Sequence, residues 1–189
     1  MPELQKILND EDRKADWKRA VFGLGAIPNA KAALKLREFL ENRFSGEIDD
    51  ETFQAICYVP FSMAFACRAY KSEDLKDYIL NATNPDFWEA KKIGWRYKDL
   101  KEANLNIFMA QLYIKSSILL NKHDNLRNDI MSKIKADRGA RSEIIRQALQ
   151  KVELFGKPDD EKQLANPLGI CTYMFSKQSG DSGVWDTPY

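Results

Sequence analysis

The segment Lys91–Lys101, KKIGWRYKDLK, holds the residue types of this chain that best fit a binding chemistry. Five Lys or Arg residues share it with one acid, Asp99, and Trp95 and Tyr97 lie among them. Cations neutralise phosphates and flat rings stack on bases, so the segment favours a single-stranded nucleic acid as ligand. We assign base stacking, or bracing of the binding groove, to the two rings. We assign phosphate contacts to Lys91, Lys92, Arg96 and Lys98.

A second basic segment, residues 127–151, carries seven Lys or Arg against three acids. Lys135, Arg138 and Arg141 bracket a turn predicted at Gly139, where exposed amides also favour phosphate. These three residues complete the predicted nucleic-acid site. The alternative interpretation is a solvated charged surface, with the aromatic residues of the first segment serving the core. Trp88 is predicted to add aromatic surface beside the first segment.

Composition bounds the class of protein. The 189 residues are 44% hydrophobic and 30% charged, which fits one folded domain. The net charge is only +1, yet residues 91–151 hold fourteen Lys or Arg against six acids. This asymmetry predicts a basic binding surface or head-to-tail contact between copies. No apolar run approaches the roughly 20 residues of a membrane span, and no signal peptide is recognised, so we expect a cytoplasmic protein without membrane contact.

Catalytic and metal motifs are not recognised in the sequence. His123 is the only histidine, which excludes a two-histidine metal site and weakens catalysis that needs a histidine base. Cys57 and Cys67 are predicted to be core residues, and Cys171 has no neighbouring base. We therefore predict no enzyme activity, cofactor, metal or small-molecule substrate. Gly23–Asn29 is interpreted as a turn between helices rather than a phosphate loop.

The pattern is helical almost throughout and predicts an all-α fold. We expect a single helical domain, residues 1–165, of about eight to ten helices, followed by a C-terminal arm, residues 166–189. Expected starts include caps at Asp10, Ser72 and Asn84, and a start at Asp49–Asp50. Pro60 is predicted to begin a separate, buried helix. The other expected helices are 30–44, about 98–120, 125–136 and 141–155, with no strand.

The arm has glycines and little periodicity, yet it carries several aromatic residues. These rings would dock either on the chain's own core or on a neighbouring copy, and the second outcome suits a protein that assembles by exchanging arms. The predicted docking residues are Tyr173, Phe175, Trp185 and Tyr189.

Several residues of this chain resemble the sequence pattern of a known family. Cys67-Arg68-x-Tyr70, then Pro85-x-x-Trp88, then Gly94, Tyr97 and Asp99 resemble the core signature of coat proteins from flexible filamentous plant viruses. The resemblance covers about 35 of 189 residues. The chain departs from the family at Ala64, where the family has arginine, and in Leu105–Ala110, which lacks the family's aspartate. The resemblance implies an all-helical subunit that binds single-stranded RNA and polymerises through terminal arms.

The leading hypothesis is a non-enzymatic, self-assembling protein, coat- or nucleocapsid-like, that binds single-stranded nucleic acid, RNA if the resemblance holds. Its location would then be the cytoplasm or a virion. The alternative is a helical adaptor or inhibitor, for example a phage or bacterial defence factor. The adaptor would meet a protein partner through its basic surface or aromatic arm.

Overall fold

The computed structural model describes residues 1–27, 29–43, 45–69, 72–91, 94–98, 102–118 and 125–136. These residues form an all-α domain, as predicted, with eight α-helices and one short pair of strands among them. The C-terminal arm and its four docking residues lie outside the described part, as does the helix predicted for residues 141–155. Within the described ranges, no helix combines the length and apolar character needed to cross a bilayer.

The elements follow one another with short connections. In chain order they are α1 (Pro2–Asn9), a 3₁₀ turn (Glu11–Arg13), α2 (Lys14–Ala26), α3 (Ala30–Asn42), β1 (Ser45–Glu47), α4 (Asp50–Ala69), α5 (Glu73–Ala82), α6 (Pro85–Ala90), β2 (Gly94–Arg96), α7 (Glu102–Ile118) and α8 (Asn125–Ala136).

Side-chain caps begin several helices where the sequence predicted them. The Ser72 hydroxyl accepts from the Leu75 amide ahead of α5, and the Asn84 side chain accepts from the Asp86 amide ahead of α6. Such acceptors satisfy amides that the first helical turn leaves unpaired. Asp10 is also a cap, but it begins the 3₁₀ turn rather than α2, because its carboxylate accepts from the Asp12 amide.

Helix α4 is the centre of the core, and α2, α3, α5 and α7 all pack against it. The prediction of a separate helix from Pro60 was wrong, because Pro60 lies inside a single helix, Asp50–Ala69. A proline there removes one backbone hydrogen bond and costs about 3 kcal/mol. Val59, Phe61 and Met63 are fully buried beside it, and each contributes about 1.5–3 kcal/mol by burial. Cys57 and Cys67 are buried in the same helix, as predicted.

The turn was predicted to begin at Gly23, but α2 continues through Gly23 and Gly25 to Ala26. The predicted start of the turn was therefore wrong. At Gly25 a side-chain Cβ would lie 2.6 Å from the Cβ and 2.9 Å from the Cα of Ser62 in α4. The glycine therefore serves a close approach of two helices, not a change of chain direction.

The two short strands were not predicted, because three residues are too few for an alternating pattern. They pair in parallel, with Ser45 opposite Gly94, Gly46 opposite Trp95 and Glu47 opposite Arg96. Gly46 has φ +72°, a backbone conformation that favours glycine. The Ile48 amide continues the pairing by donating to the Arg96 carbonyl at 2.9 Å. This pairing holds the first basic segment beside the start of α4.

Gly25→Ala should destabilise the domain by about 1–2 kcal/mol, because overpacking α2 against the α4 backbone exceeds the gain of about 1 kcal/mol in helix propensity. Gly23→Ala is the matched control, since its new Cβ would meet only the flexible end of Leu4. Urea unfolding of both variants measures the difference. Equal stability of the two would contradict the close helix approach.

Candidate nucleic-acid interface

The residues of the first basic segment lie in three different parts of the fold. Lys91 ends α6, Gly94–Arg96 form β2, and Tyr97 and Lys98 lead toward α7. Trp95 is placed by its backbone pairing with Gly46. Lys92 lies outside the described residues. The predicted site residues of this segment therefore lie next to one another along the chain but have different partners.

Tyr97 packs against the protein itself. Its ring lies flat on Phe53 of α4, with ring centroids 3.8 Å apart and planes 3° apart. Its hydroxyl donates to the Asp50 carboxylate at 3.0 Å. The ring face toward Phe53 is covered, so the geometry favours the bracing role over base stacking on that face.

The cationic residues Arg96 and Lys98 are both exposed. The Lys98 ammonium lies 3.0 Å from the Asp50 carboxylate, and both side chains stay more than half exposed. Arg96 makes no ion pair with the residues that the structure describes. Its guanidinium can therefore meet a phosphate without first leaving a carboxylate.

Asp49 and Asp50, at the start of α4, bind different partners. Asp49 accepts from the Thr52 amide and from Lys14 at 2.8 Å. Partial burial alone would raise the pKa of Asp49, but these donors outweigh it and lower the pKa to about 2. Asp50 faces the basic segment instead, and the hydrogen bonds from Lys98 and Tyr97 lower its pKa. Both acids also suit the positive end of the helix, as the sequence predicted.

Lys91 has a structural partner in α3. Its ammonium lies 2.8 Å from the Glu41 carboxylate and 4.8 Å from the centroid of the Phe87 ring. Burial alone would raise the pKa of Glu41, but Lys91 and the neighbouring Arg37 lower it overall. The Lys91 and Glu41 side chains are 27% and 32% exposed, so this pair is screened less than the Lys98 pair. Lys91 joins α6 to α3 and is poorly placed to hold a phosphate.

Trp88 does not add aromatic surface, and that prediction was wrong. Its side chain is buried, its indole N–H donates to the Ala82 carbonyl at 2.8 Å, and its ring stacks on Tyr113. The indole is amphipathic, and here both its apolar ring and its polar donor find partners inside the protein.

The second basic segment begins in α8, which forms over Asn125–Ala136 as predicted. Lys133 and Lys135 are exposed near its end, where cations suit the negative end of the helix. Lys133 points toward the Leu80 carbonyl at 3.4 Å, at the end of α5. Arg138, Arg141 and the turn at Gly139 lie outside the described residues.

Some cations of the basic segments differ from most cations of the N-terminal helices in how their charges are paired. In the N-terminal part, most Lys and Arg residues bond to carboxylates: Lys6 to Glu3, Arg13 to Asp16, Lys14 to Asp49, Lys35 to Glu38, Arg37 to Glu41 and Arg43 to Glu11. In the basic segments, Arg96, Lys133 and Lys135 have no carboxylate partner among the described residues. Arg19 and Lys31 share this property outside the segments and serve below as controls.

Three features of the described part of the chain concern metal binding, nucleophilic chemistry and cavities. No group of three or more His, Cys, Asp or Glu side chains there is arranged to hold a metal ion. Burial raises the pKa of the Cys57 thiol well above its usual range, which disfavours a thiolate nucleophile. A cavity of about 30 Å³ between α1 and α3, lined by residues including Gln5, Asn9 and Arg43, has room for little more than a water molecule.

No protein-family model, curated protein or solved structure matches this chain. The resemblance to plant-virus coat proteins therefore stays a prediction. Of the residues that carry it, Cys67, Pro85 and Trp88 are buried in this structure. Tyr97 braces the first basic segment, and Asp99 lies outside the described residues.

Sequence reasoning missed the acidic and aromatic partners of the basic segment. Glu41, Asp50 and Phe53 each contact it from other elements, and Glu41 is 50 residues from Lys91 in the chain. No local spacing signals such a pair, so only the three-dimensional arrangement separates Lys91 from Arg96.

Lys91→Ala should lower the free energy of unfolding by about 1 kcal/mol, because among the described residues it leaves the half-buried Glu41 with Arg37 as its one remaining cation. Arg96→Ala is the matched control and should change stability by less than about 0.5 kcal/mol, since the side chain is exposed. Thermal and urea unfolding of the two variants test this division. A larger loss for Arg96→Ala would contradict it.

Proposed function

We propose that this protein binds single-stranded nucleic acid with little sequence preference and assembles along it, in the manner of a coat or nucleocapsid protein. One observation carries the binding proposal. Arg96, Lys133 and Lys135 are exposed and lack carboxylate partners in the described part of the chain, whereas most N-terminal cations are paired. Exposed and unpaired cations bind phosphates with release of counterions, which is the main source of sequence-independent affinity.

The chemistry assigned to the site is phosphate neutralisation. Arg96 offers a planar fork of donors that suits phosphate oxygens, and Lys135 offers a compact point charge. Tyr97 braces the strand that presents Arg96. Lys92, Arg138 and Arg141, predicted from the sequence, would extend the same contacts along a strand. RNA is the ligand that the resemblance implies.

Self-assembly rests on the predicted docking of the aromatic arm and on the resemblance. Light scattering combined with absorbance at 260 and 280 nm, on protein purified without nuclease, tests it first. A large particle with excess absorbance at 260 nm that collapses after nuclease treatment supports assembly on nucleic acid. A monomer free of nucleic acid contradicts it.

The double variant Arg96→Gln with Lys135→Gln should weaken binding to a fluorescent single-stranded oligonucleotide. Loss of two phosphate contacts should make the slope of log K against log salt shallower by about 1.4, since each contact on a single strand contributes about 0.7. At about 50 mM salt this corresponds to a loss of roughly 65-fold. Fluorescence anisotropy over a salt series measures both quantities.

The matched control is Arg19→Gln with Lys31→Gln, which removes the same charge from exposed cations outside the basic segments. It should leave most of the affinity intact. Equal losses in the two double variants would mean that only net charge matters and would overturn the site. Wild-type protein that binds no oligonucleotide at low salt would overturn the function and favour the protein-binding adaptor.

A further inference from the structure

The contacts of Asp50 suggest how the proposed site is regulated. The Asp50 carboxylate lies within 3.1 Å of the Lys98 ammonium through both of its oxygens. It also accepts from the Tyr97 hydroxyl at 3.0 Å. A carboxylate so placed fills the position that a phosphate oxygen would take on Lys98.

We propose that Asp50 is an intramolecular competitor that occupies Lys98 until a nucleic-acid phosphate displaces it. The inference rests on the proposed function and adds regulation at the same site. Lys98 then differs from Arg96, which needs no displacement among the described residues. A single weak anion would leave the Asp50 pair intact, whereas a polyanion that already contacts Arg96 brings further phosphates to Lys98 at high local concentration.

The exposure of the pair makes the exchange feasible. The Lys98 and Asp50 side chains are 58% and 55% exposed, and ion pairs so open to water are worth little and are easily screened. The Lys91–Glu41 pair, with both side chains about 30% exposed, is the contrasting fixed contact. Asp50 therefore holds Lys98 loosely enough for a phosphate to replace it.

The surroundings of the pair stay in place when Lys98 leaves. Tyr97 remains stacked on Phe53, and the Ile48 amide remains bonded to the Arg96 carbonyl. Asp50 itself keeps a favourable position as the first residue of α4, where the helix end attracts negative charge. The exchange thus involves a rotation of the long Lys98 side chain away from Asp50 and from the Tyr97 ring, whose centroid lies 5.8 Å from the ammonium.

Asp50→Asn tests the competitor, because asparagine keeps an acceptor for Tyr97 but removes the charge. We expect this variant to bind the single-stranded oligonucleotide about two- to fivefold more tightly at about 50 mM salt, because the phosphate no longer displaces a carboxylate from Lys98. The salt slope should stay unchanged, because the same phosphate contact forms in both proteins. Glu51→Gln is the matched control, because it removes one exposed charge from the same helical turn. It should raise affinity less and leave the slope unchanged.

A further Lys98→Gln substitution should abolish the gain of Asp50→Asn, which ties the effect to this pair. Equal gains for Asp50→Asn and Glu51→Gln would overturn the competitor and leave the proposed function standing. No binding by wild type or by any variant would overturn both. Circular dichroism checks that the variants fold, and Asp50→Ser replaces Asp50→Asn if the latter does not.

Discussion

The burial of α4 is the constraint on which the rest of the structure depends. Four helices pack on α4, and α2 approaches it closely enough at Gly25 to leave no room for a Cβ. A helix covered on so many sides tolerates an internal proline. The exposed residues among those described in α4, Asp50, Glu51 and Gln54, lie in its first two turns. The first basic segment contacts that exposed start through Asp50 and Phe53. The position of the candidate binding residues is therefore a consequence of how the core is packed.

Charge pairing divides similar cations into different roles. Lys91 and Lys98 are seven residues apart in one basic segment, yet they form different ion pairs. Lys91 forms a half-buried ion pair with Glu41, and Lys98 forms an exposed ion pair with Asp50. Desolvation makes the first pair hard to exchange, whereas water screens the second. Arg96, between them, has no such partner in the described part of the chain. Nucleic-acid affinity, if it resides in this run, is concentrated in the residues near β2.

Local chemistry made part of this structure predictable from sequence. The caps at Ser72 and Asn84 and the whole of α8 were predicted because their signals lie within a few residues of the feature. Pro60 and Gly25 were misinterpreted, because both residues usually interrupt helices and only tertiary packing reverses that preference. Arg96 and Lys98 were predicted as surface cations from the same basic run as Lys91. These cations differ in whether a carboxylate pairs with them and how exposed the pair is. The carboxylates, Glu41 and Asp50, lie far away in the chain, and no local pattern reveals them.

The pairing of β1 with β2 has a consequence for the order of folding. The contact between Tyr97 and Asp50 joins residues 47 apart in sequence and closes a loop that contains most of α4 and all of α5 and α6. Closing such a loop costs about 3 kcal/mol of chain entropy, so the strands gain from pairing only once the enclosed helices have packed. A nascent chain would complete its N-terminal helices before this surface exists. The surface around β2 is thus expected to form only after α4, α5 and α6 have packed.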